Sequence, residues 1–354
     1  MKLREVVGRA ESGDELVLQA SDVHRTRTGT HARVDVGLNG TVLAYSAFNV
    51  DRDEDRVRLA NRAHARLGAL GQVWTAHWLQ RALDAFCRDL WERWVETDAL
   101  EPLQGECREL EYVLRPYVLD GGGTILFGGP GTGKTYLATL WARLIERGDG
   151  RFWPVRRRPV VYLQLERSAR LFARRIALVN RALGYPDDLP LLAKIARGRR
   201  LADIADGIRS QLQPGTVVFL DSISRAGAGS LKEDETANQI IDTLNSISDT
   251  WVALAHTSHA QRDAEDAHAY GSVHFQAGAD VLVHLVSQHA PFDRARLGLS
   301  LRVMPGSNDV VAPPELLAME FDDRGLRAIR RAAASEFTDL VPAARSTAER
   351  AAEY

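Results

Sequence analysis

The stretch from Thr124 to Ala138 reads TILFGGPGTGKTYLA, and it limits the fold more than any other part of the chain. Gly128, Gly129, Pro130, Gly131, Thr132, Gly133, Lys134 and Thr135 fit the spacing G-x-x-x-x-G-K-[ST]. An apolar run, TILF, precedes the motif and a helical pattern, YLATLWARLIER, follows it. Glycines let such a loop bring backbone N–H groups around an anion, and the N-terminus of the following helix adds partial positive charge. The stretch is therefore predicted to pass from a strand into a helix around a phosphate. Its cation is informative, because Lys occurs only at 2, 134, 194 and 232 among 45 basic residues. A compact ammonium on a flexible stem fits between phosphate oxygens inside a narrow loop, where a planar guanidinium presents a fixed fork.

Further apolar runs lie at 160–165 (VVYLQL), 216–221 (TVVFLD), 251–256 (WVALAH), 279–286 (ADVLVHLV), 296–304 (RLGLSLRVM) and 316–321 (LLAMEF), the earlier ones separated by helical stretches. This alternation predicts an α/β domain whose mostly parallel sheet is flanked by helices, with the late strands closing it as antiparallel hairpins. A phosphate loop asks for two further groups. Thr135 is placed to ligate Mg²⁺, and Asp221, at the end of TVVFLD, to hold the metal's water shell. Glu166 follows VVYLQL at a strand's C-terminal end, where ligands of open α/β sheets gather, and is the candidate base for an attacking water.

Residues 1–115 read differently. Alternating segments at 15–20, 31–38 and 41–50, with the Asn39-Gly40 pair between the last two, predict a β-hairpin. Leu79, Leu83, Phe86, Leu90 and Trp94 then recur at helical spacing. This segment carries Trp74, Trp78, Trp91 and Trp94, read either as helix core or as a surface for base stacking or for docking a protein partner. The expected organisation is an α+β N-terminal domain with a Trp-rich helix (1–115), the P-loop domain (116–332) and a small polar tail (333–354). Cys87 and Cys107 are read as packing residues.

The order of P-loop, strand–Glu166–Arg167–Ser168, strand–Asp221–Ser222, strand–Ala255–His256, then Tyr270-Gly271-Ser272 with Asp280 following, resembles the RecA-type ATPases. The similarity is to the RepA-like branch related to hexameric replicative helicases. It covers about 116–330 and is most specific at the P-loop, LQLERS and LDSISRAG. It implies a RecA-like domain that binds ATP and Mg²⁺ through residues 128–135. Lys134 and Thr135 would hold phosphate and metal, Glu166 would act as general base, Asp221 would hold metal water, and His256 would sense the γ-phosphate. It also implies a homo-oligomer such as a hexamer, with single-stranded DNA as partner. Ring-forming members offer a cation from the neighbouring subunit, yet no Lys or Arg occurs from 263 to 293 here. Arg294, Arg296 and Arg302 are the nearest substitutes.

Six of the ten histidines lie at 256, 259, 268, 274, 284 and 289, which leaves a zinc site and ordinary polar contacts open beside the sensor role. Arginine clusters at 156–158, at 170, 174 and 175, and at 197, 199 and 200 are either phosphate-tracking or solvated faces, and 224–235 (SRAGAGSLKEDE) is the first DNA-contact candidate. Net charge is -2, so no global field steers the chain toward nucleic acid. Its apolar runs fall far short of the roughly 18 residues a membrane helix needs, and residues 1–15 have no apolar signal core, so a soluble, cytoplasmic chain is expected. The resulting expectation is Mg²⁺-dependent ATP hydrolysis coupled to DNA, as a helicase-like motor in replication or recombination. The alternatives are a loader or mediator switch without processive unwinding, and a nucleotide-binding recruitment module with negligible hydrolysis.

Overall fold

Val217 and Phe219 pack into one core and Val218 and Leu220 into another, so the strand that carries them is covered on both faces. That is why it reads as a continuous apolar run rather than an alternating one. The computed structural model describes residues 3–26, 29–96, 109–257, 271, 274–290, 293–304, 307 and 310–340. The chain divides into two units, 1–107 and 108–354.

The first unit is a four-stranded antiparallel sheet in the order β1 (Leu3–Arg9), β2 (Glu15–Thr26), β3 (Gly29–Leu38), β4 (Thr41–Asn49), followed by helices α1 (Asp53–His64) and α2 (Ala76–Glu96). Asn39 (φ 50°) and Gly40 (φ 82°) turn β3 into β4, both at positive φ as a tight hairpin demands. The Asn39 side chain also accepts from the Glu15 N–H at 2.8 Å. β1 is absent from the sequence reading. It is an edge strand in which only Leu3 is buried, so its residues show no apolar alternation. Leu79, Leu83, Phe86 and Leu90 of α2 are buried with Trp74 in this unit's core. Trp74 packs with its ring 6.4 Å from that of Trp78, so its role is core packing. The side chain of Trp94 and all of Cys107 lie outside the described residues. Cys87 is buried, and burial pushes its thiol up to about 12, which leaves it a packing residue.

The second unit opens with the hairpin β5 (Tyr112–Leu114) and β6 (Val118–Leu119), so its core begins ahead of residue 116. Then come β7 (Gly123–Gly128), α3 (Lys134–Arg147), β8 (Val160–Gln164), α4 (Ala169–Leu183), β9 (Ala193–Ile195), α5 (Ala202–Arg209), β10 (Val217–Asp221), α6 (Asp234–Ile247), β11 (Trp251–His256), α7 (His274–Ala277), β12 (Val281–Ala290), β13 (Asp293–Val303), β14 (Glu315–Asp322) and β15 (Gly325–Arg331). Their order across the sheet is β15-β14-β13-β12-β7-β11-β10-β8-β9. Strands from β12 through β9 run parallel, and β12 through β15 pair antiparallel. This is the mostly parallel, helix-flanked sheet, closed by late antiparallel strands, that the sequence implied. β11 lies between β7 and β10, so the P-loop strand and the Asp221 strand are not neighbours.

The segment 333–340 departs from the expected polar tail. It forms two short 3₁₀ turns, and Phe337 and Leu340 are buried against Val286, Ala290 and Ala318. Its two apolar residues are too sparse to signal this in sequence. Residues 341–354 lie outside the description. Among the described residues no helix is long and apolar enough to cross a membrane.

Candidate active site

Parallel register places the predicted residues at one edge of the sheet. His256 pairs with Gly128, and Asp221 with Gln164, so the C-terminal ends of β11, β7, β10 and β8 lie together. β7 must approach β12 closely here, since a Cβ on Gly128 would lie 2.4 Å from the Leu285 carbonyl oxygen. The loop then enters α3 through Gly133 at φ 91°, a conformation that costs other residues about 1–2 kcal/mol. No side chain caps the first turn of α3. Its orphan N–H groups therefore face the loop, which is the donor set an anion needs.

Lys134 is buried and donates through Nζ to the carbonyls of Gly128 at 2.8 Å and Gly129 at 2.7 Å. Burial pulls its ammonium down to about 8, against the opposing pull of the Asp221 and Glu166 carboxylates. Thr132 closes the loop by donating to the Gly129 carbonyl at 2.9 Å. Thr135 is buried at the start of α3, and its carbonyl accepts from the Thr139 hydroxyl at 2.6 Å.

Asp221 is 2% exposed. Burial raises its pKa, while donation from Gln164 (3.0 Å) and the Thr135 hydroxyl pulls the other way. The buried Tyr162 hydroxyl adds a contact at 3.3 Å. Glu166 accepts from the hydroxyls of Ser222 at 2.8 Å and Ser224 at 3.0 Å. With His256 Nε2 at 3.8 Å, these donors hold its carboxyl down to about 2 against the effect of burial. The other ring nitrogen of His256, Nδ1, is 3.4 Å from Lys134 Nζ. The imidazole thus stands between the ammonium and the carboxylate.

Gln164 is the residue that sequence reasoning missed. It is fully buried, donates to Asp221, and through Oε1 accepts from the N–H groups of Glu166 at 2.9 Å and Arg167 at 3.0 Å. One side chain therefore fixes both acids. The available signal was a polar residue in the buried run VVYLQL, since a buried amide needs partners for each of its groups. Ser222 and Ser224 carried no such signal.

The described histidines of this stretch do not gather. His284 is buried with its ring stacked 4.9 Å from Phe127, His274 lies 3.5 Å from Asp234, and His289 is exposed. His259 and His268 lie outside the described residues, as do Tyr270 and Ser272. Among the described residues no cluster of three or more His, Cys, Asp or Glu could hold a metal ion. Thr135 and Asp221 nevertheless fit Mg²⁺, which takes few protein ligands and keeps several waters. Two of the substitute cations are occupied. Arg296 donates to Asp293 at 2.8 Å and lies 3.7 Å from Glu336, and Arg302 donates to the Leu340 carbonyl at 3.2 Å.

No curated protein matches the chain. Among solved structures, a KaiC-like protein from the hyperthermophilic archaeon Pyrococcus horikoshii OT3 aligns at 16% identity with a TM-score of 0.40, covering 62% of this chain and 93% of that one. Residues 92–265, which include the P-loop, Glu166, Asp221 and His256, match the family described as AAA domain, and with the loop and acids just described the chain carries a P-loop ATPase domain similar to that family.

Proposed function

We propose that this chain is a Mg²⁺-dependent ATPase whose turnover is coupled to single-stranded DNA and which works as a homo-oligomer. The observation that carries the reading is the convergence of Lys134, Glu166 and Asp221 on one sheet edge. Lys134 exchanges its two loop carbonyls for phosphate oxygens, while the N–H groups at the start of α3 hold the remaining charge. Glu166, ionised and oriented by two serines, aligns the attacking water and accepts its proton. His256 lies between these groups and senses whether the terminal phosphate is present. Mg²⁺, held by Thr135 and through water by Asp221, would neutralise charge on the phosphate oxygens. Coupling to DNA is supported by the resemblance to helicase-related ATPases.

The internal engagement of Arg296 and Arg302 favours a second reading within the same chemistry. A cation supplied to a neighbouring site raises phosphoryl transfer by orders of magnitude. With two substitutes tied down, a loader or mediator switch, slow until a partner supplies the charge, follows more naturally than a processive motor. The test is steady-state ATP hydrolysis with and without single-stranded DNA, beside sedimentation in ATP. DNA-stimulated turnover by an ATP-dependent oligomer is expected. Nucleotide binding without turnover in either condition overturns the proposal.

Gln164 supplies a prediction of its own. Gln164→Leu leaves Asp221 one donor short and the Glu166 and Arg167 N–H groups without their acceptor. Unsatisfied buried groups cost about 1–3 kcal/mol each, so thermal unfolding should shift by several degrees. Because the variant moves both acids but not the loop, kcat should fall about 10–100-fold with a smaller change in ATP affinity. An unchanged kcat would remove Gln164 from the positioning role.

A further inference from the structure

The three arginine clusters differ in their surroundings. Arg156 donates to Glu111 at 2.6 Å and Asp120 at 2.9 Å, Arg158 pairs with Asp120, and Arg157 donates to the Glu146 carbonyl at 3.2 Å. Arg200 pairs with Asp203 at 3.2 Å, and Arg199 donates to the Asp203 carbonyl at 2.9 Å. Arg156, Arg158 and Arg200 thus sit beside carboxylates, while Arg157 and Arg199 reach only backbone carbonyls. On α4, Arg175 turns onto the Tyr136 ring at 4.3 Å. Arg170 and Arg174 are exposed, as is Arg167 just before the helix. Among the described residues no carboxylate pairs with these three, and the guanidinium of Arg174 reaches only the Arg324 carbonyl, at 3.5 Å. Ala169–Leu183 contains no acidic residue. Between the cations Leu171 is 57% exposed.

We propose that this face of α4 is a track for the phosphodiester backbone of single-stranded DNA. The inference rests on the DNA-coupled activity proposed above and names its contact surface. Arg170 and Arg174 stand about 6 Å apart along the helix axis, a row of cations suited to successive phosphates. A lone phosphate has no use for the leucine between them, whereas a nucleic-acid strand sets its sugars and bases against such a surface. The track also joins the active site directly. Arg167 follows Glu166 in the chain, the N–H groups of both are held by Gln164, and Ser168 caps α4 by accepting from the Leu171 N–H at 3.4 Å. A strand lying on α4 therefore steadies the turn that carries Glu166. The other candidate, 224–235, sets Glu233, Asp234 and Glu235 beside Arg225 and Lys232, so α4, which has no acid, is the more favourable track for phosphates.

The test is fluorescence anisotropy of a labelled oligo-dT strand over a range of salt, comparing the full-length protein with Arg170→Gln/Arg174→Gln. Each single-strand phosphate contact contributes about 0.7 to the slope of log affinity against log salt. The double variant should be shallower by about 1.4 and bind about 25-fold more weakly at 0.1 M salt. Its DNA-free ATP hydrolysis and melting temperature should be unchanged and its DNA stimulation lost, and Arg170→Lys/Arg174→Lys should keep the slope. If the wild type binds and the glutamine variant binds with the same affinity and slope, the track is wrong and the DNA-coupled reading stands. Failure of the wild type to bind or respond to single-stranded DNA overturns both. Tighter, α4-dependent binding of duplex DNA overturns the single-strand assignment.

Discussion

Glu166→Gln should bind ATP as the wild type does and hydrolyse it about 10²–10⁴-fold more slowly. A positioned general base contributes that range, and the amide keeps the side chain's shape while removing its capacity to accept a proton. Glu166 is suited to the loss because its surroundings favour the ionised form: His256 Nε2 and the two serine hydroxyls hold its carboxyl down to about 2. Single-turnover hydrolysis alongside equilibrium nucleotide binding separates the two effects. The same shift has a sign in stability. A carboxyl that titrates near 4.5 unfolded and near 2 folded favours the folded state above pH 4.5, and this favour disappears as pH falls through about 2. Glu166→Gln should therefore flatten acid unfolding between pH 4.5 and 2. A variant that keeps wild-type turnover would remove Glu166 from the chemistry.

Lys134→Ala should lose measurable nucleotide binding, with affinity down at least about 100-fold. Among the described residues of the site no other cation could replace this buried ammonium, held by two loop carbonyls. Proton linkage gives an independent reading. The ammonium titrates near 8 because it is buried, and phosphate oxygens beside it would favour the charged form. Below pH 8 this group leaves affinity unaffected by pH. Above pH 8 binding must take up a proton, so affinity should fall by up to tenfold per pH unit. Calorimetry in buffers of differing ionisation heat should show uptake rising toward one proton per nucleotide. In the nucleotide-free protein the sign reverses: the unfolded chain holds this proton more tightly between pH 8 and 10.5, so stability contributed by Lys134 rises with pH there. Affinity that is flat from pH 7 to 9.5 would remove Lys134 from the phosphate site.

The second unit was legible because its strands are buried on both faces, so that TILF, VVYLQL, TVVFLD and WVALAH stand out as unbroken apolar runs. β9 and β15 were not, since β9 is three mostly exposed residues and β15 mixes three arginines with its apolar positions. At the site, the P-loop spacing and the strand-end acids could be read because backbone geometry confines them to fixed places in the chain. Gln164, Ser222 and Ser224 act through contacts across strands, which have no local spacing. The tryptophan segment, read two ways, resolves into core at Trp74 through burial alone.

The strand inserted between β7 and β10 acts as a spacer. Strands in a sheet are about 4.8 Å apart, so the base of Asp221 stands about 9.6 Å from the P-loop strand. Direct adjacency would let ammonium and carboxylate collapse into an ion pair, as opposite charges in a poorly solvated pocket do. Among the described residues Lys134 forms no such pair, and His256, at the end of the spacer, stands between Lys134 and Glu166. Backbone hydrogen bonds far from the chemistry thus keep a charge separation open, and the site is held ready by the width of a β-strand.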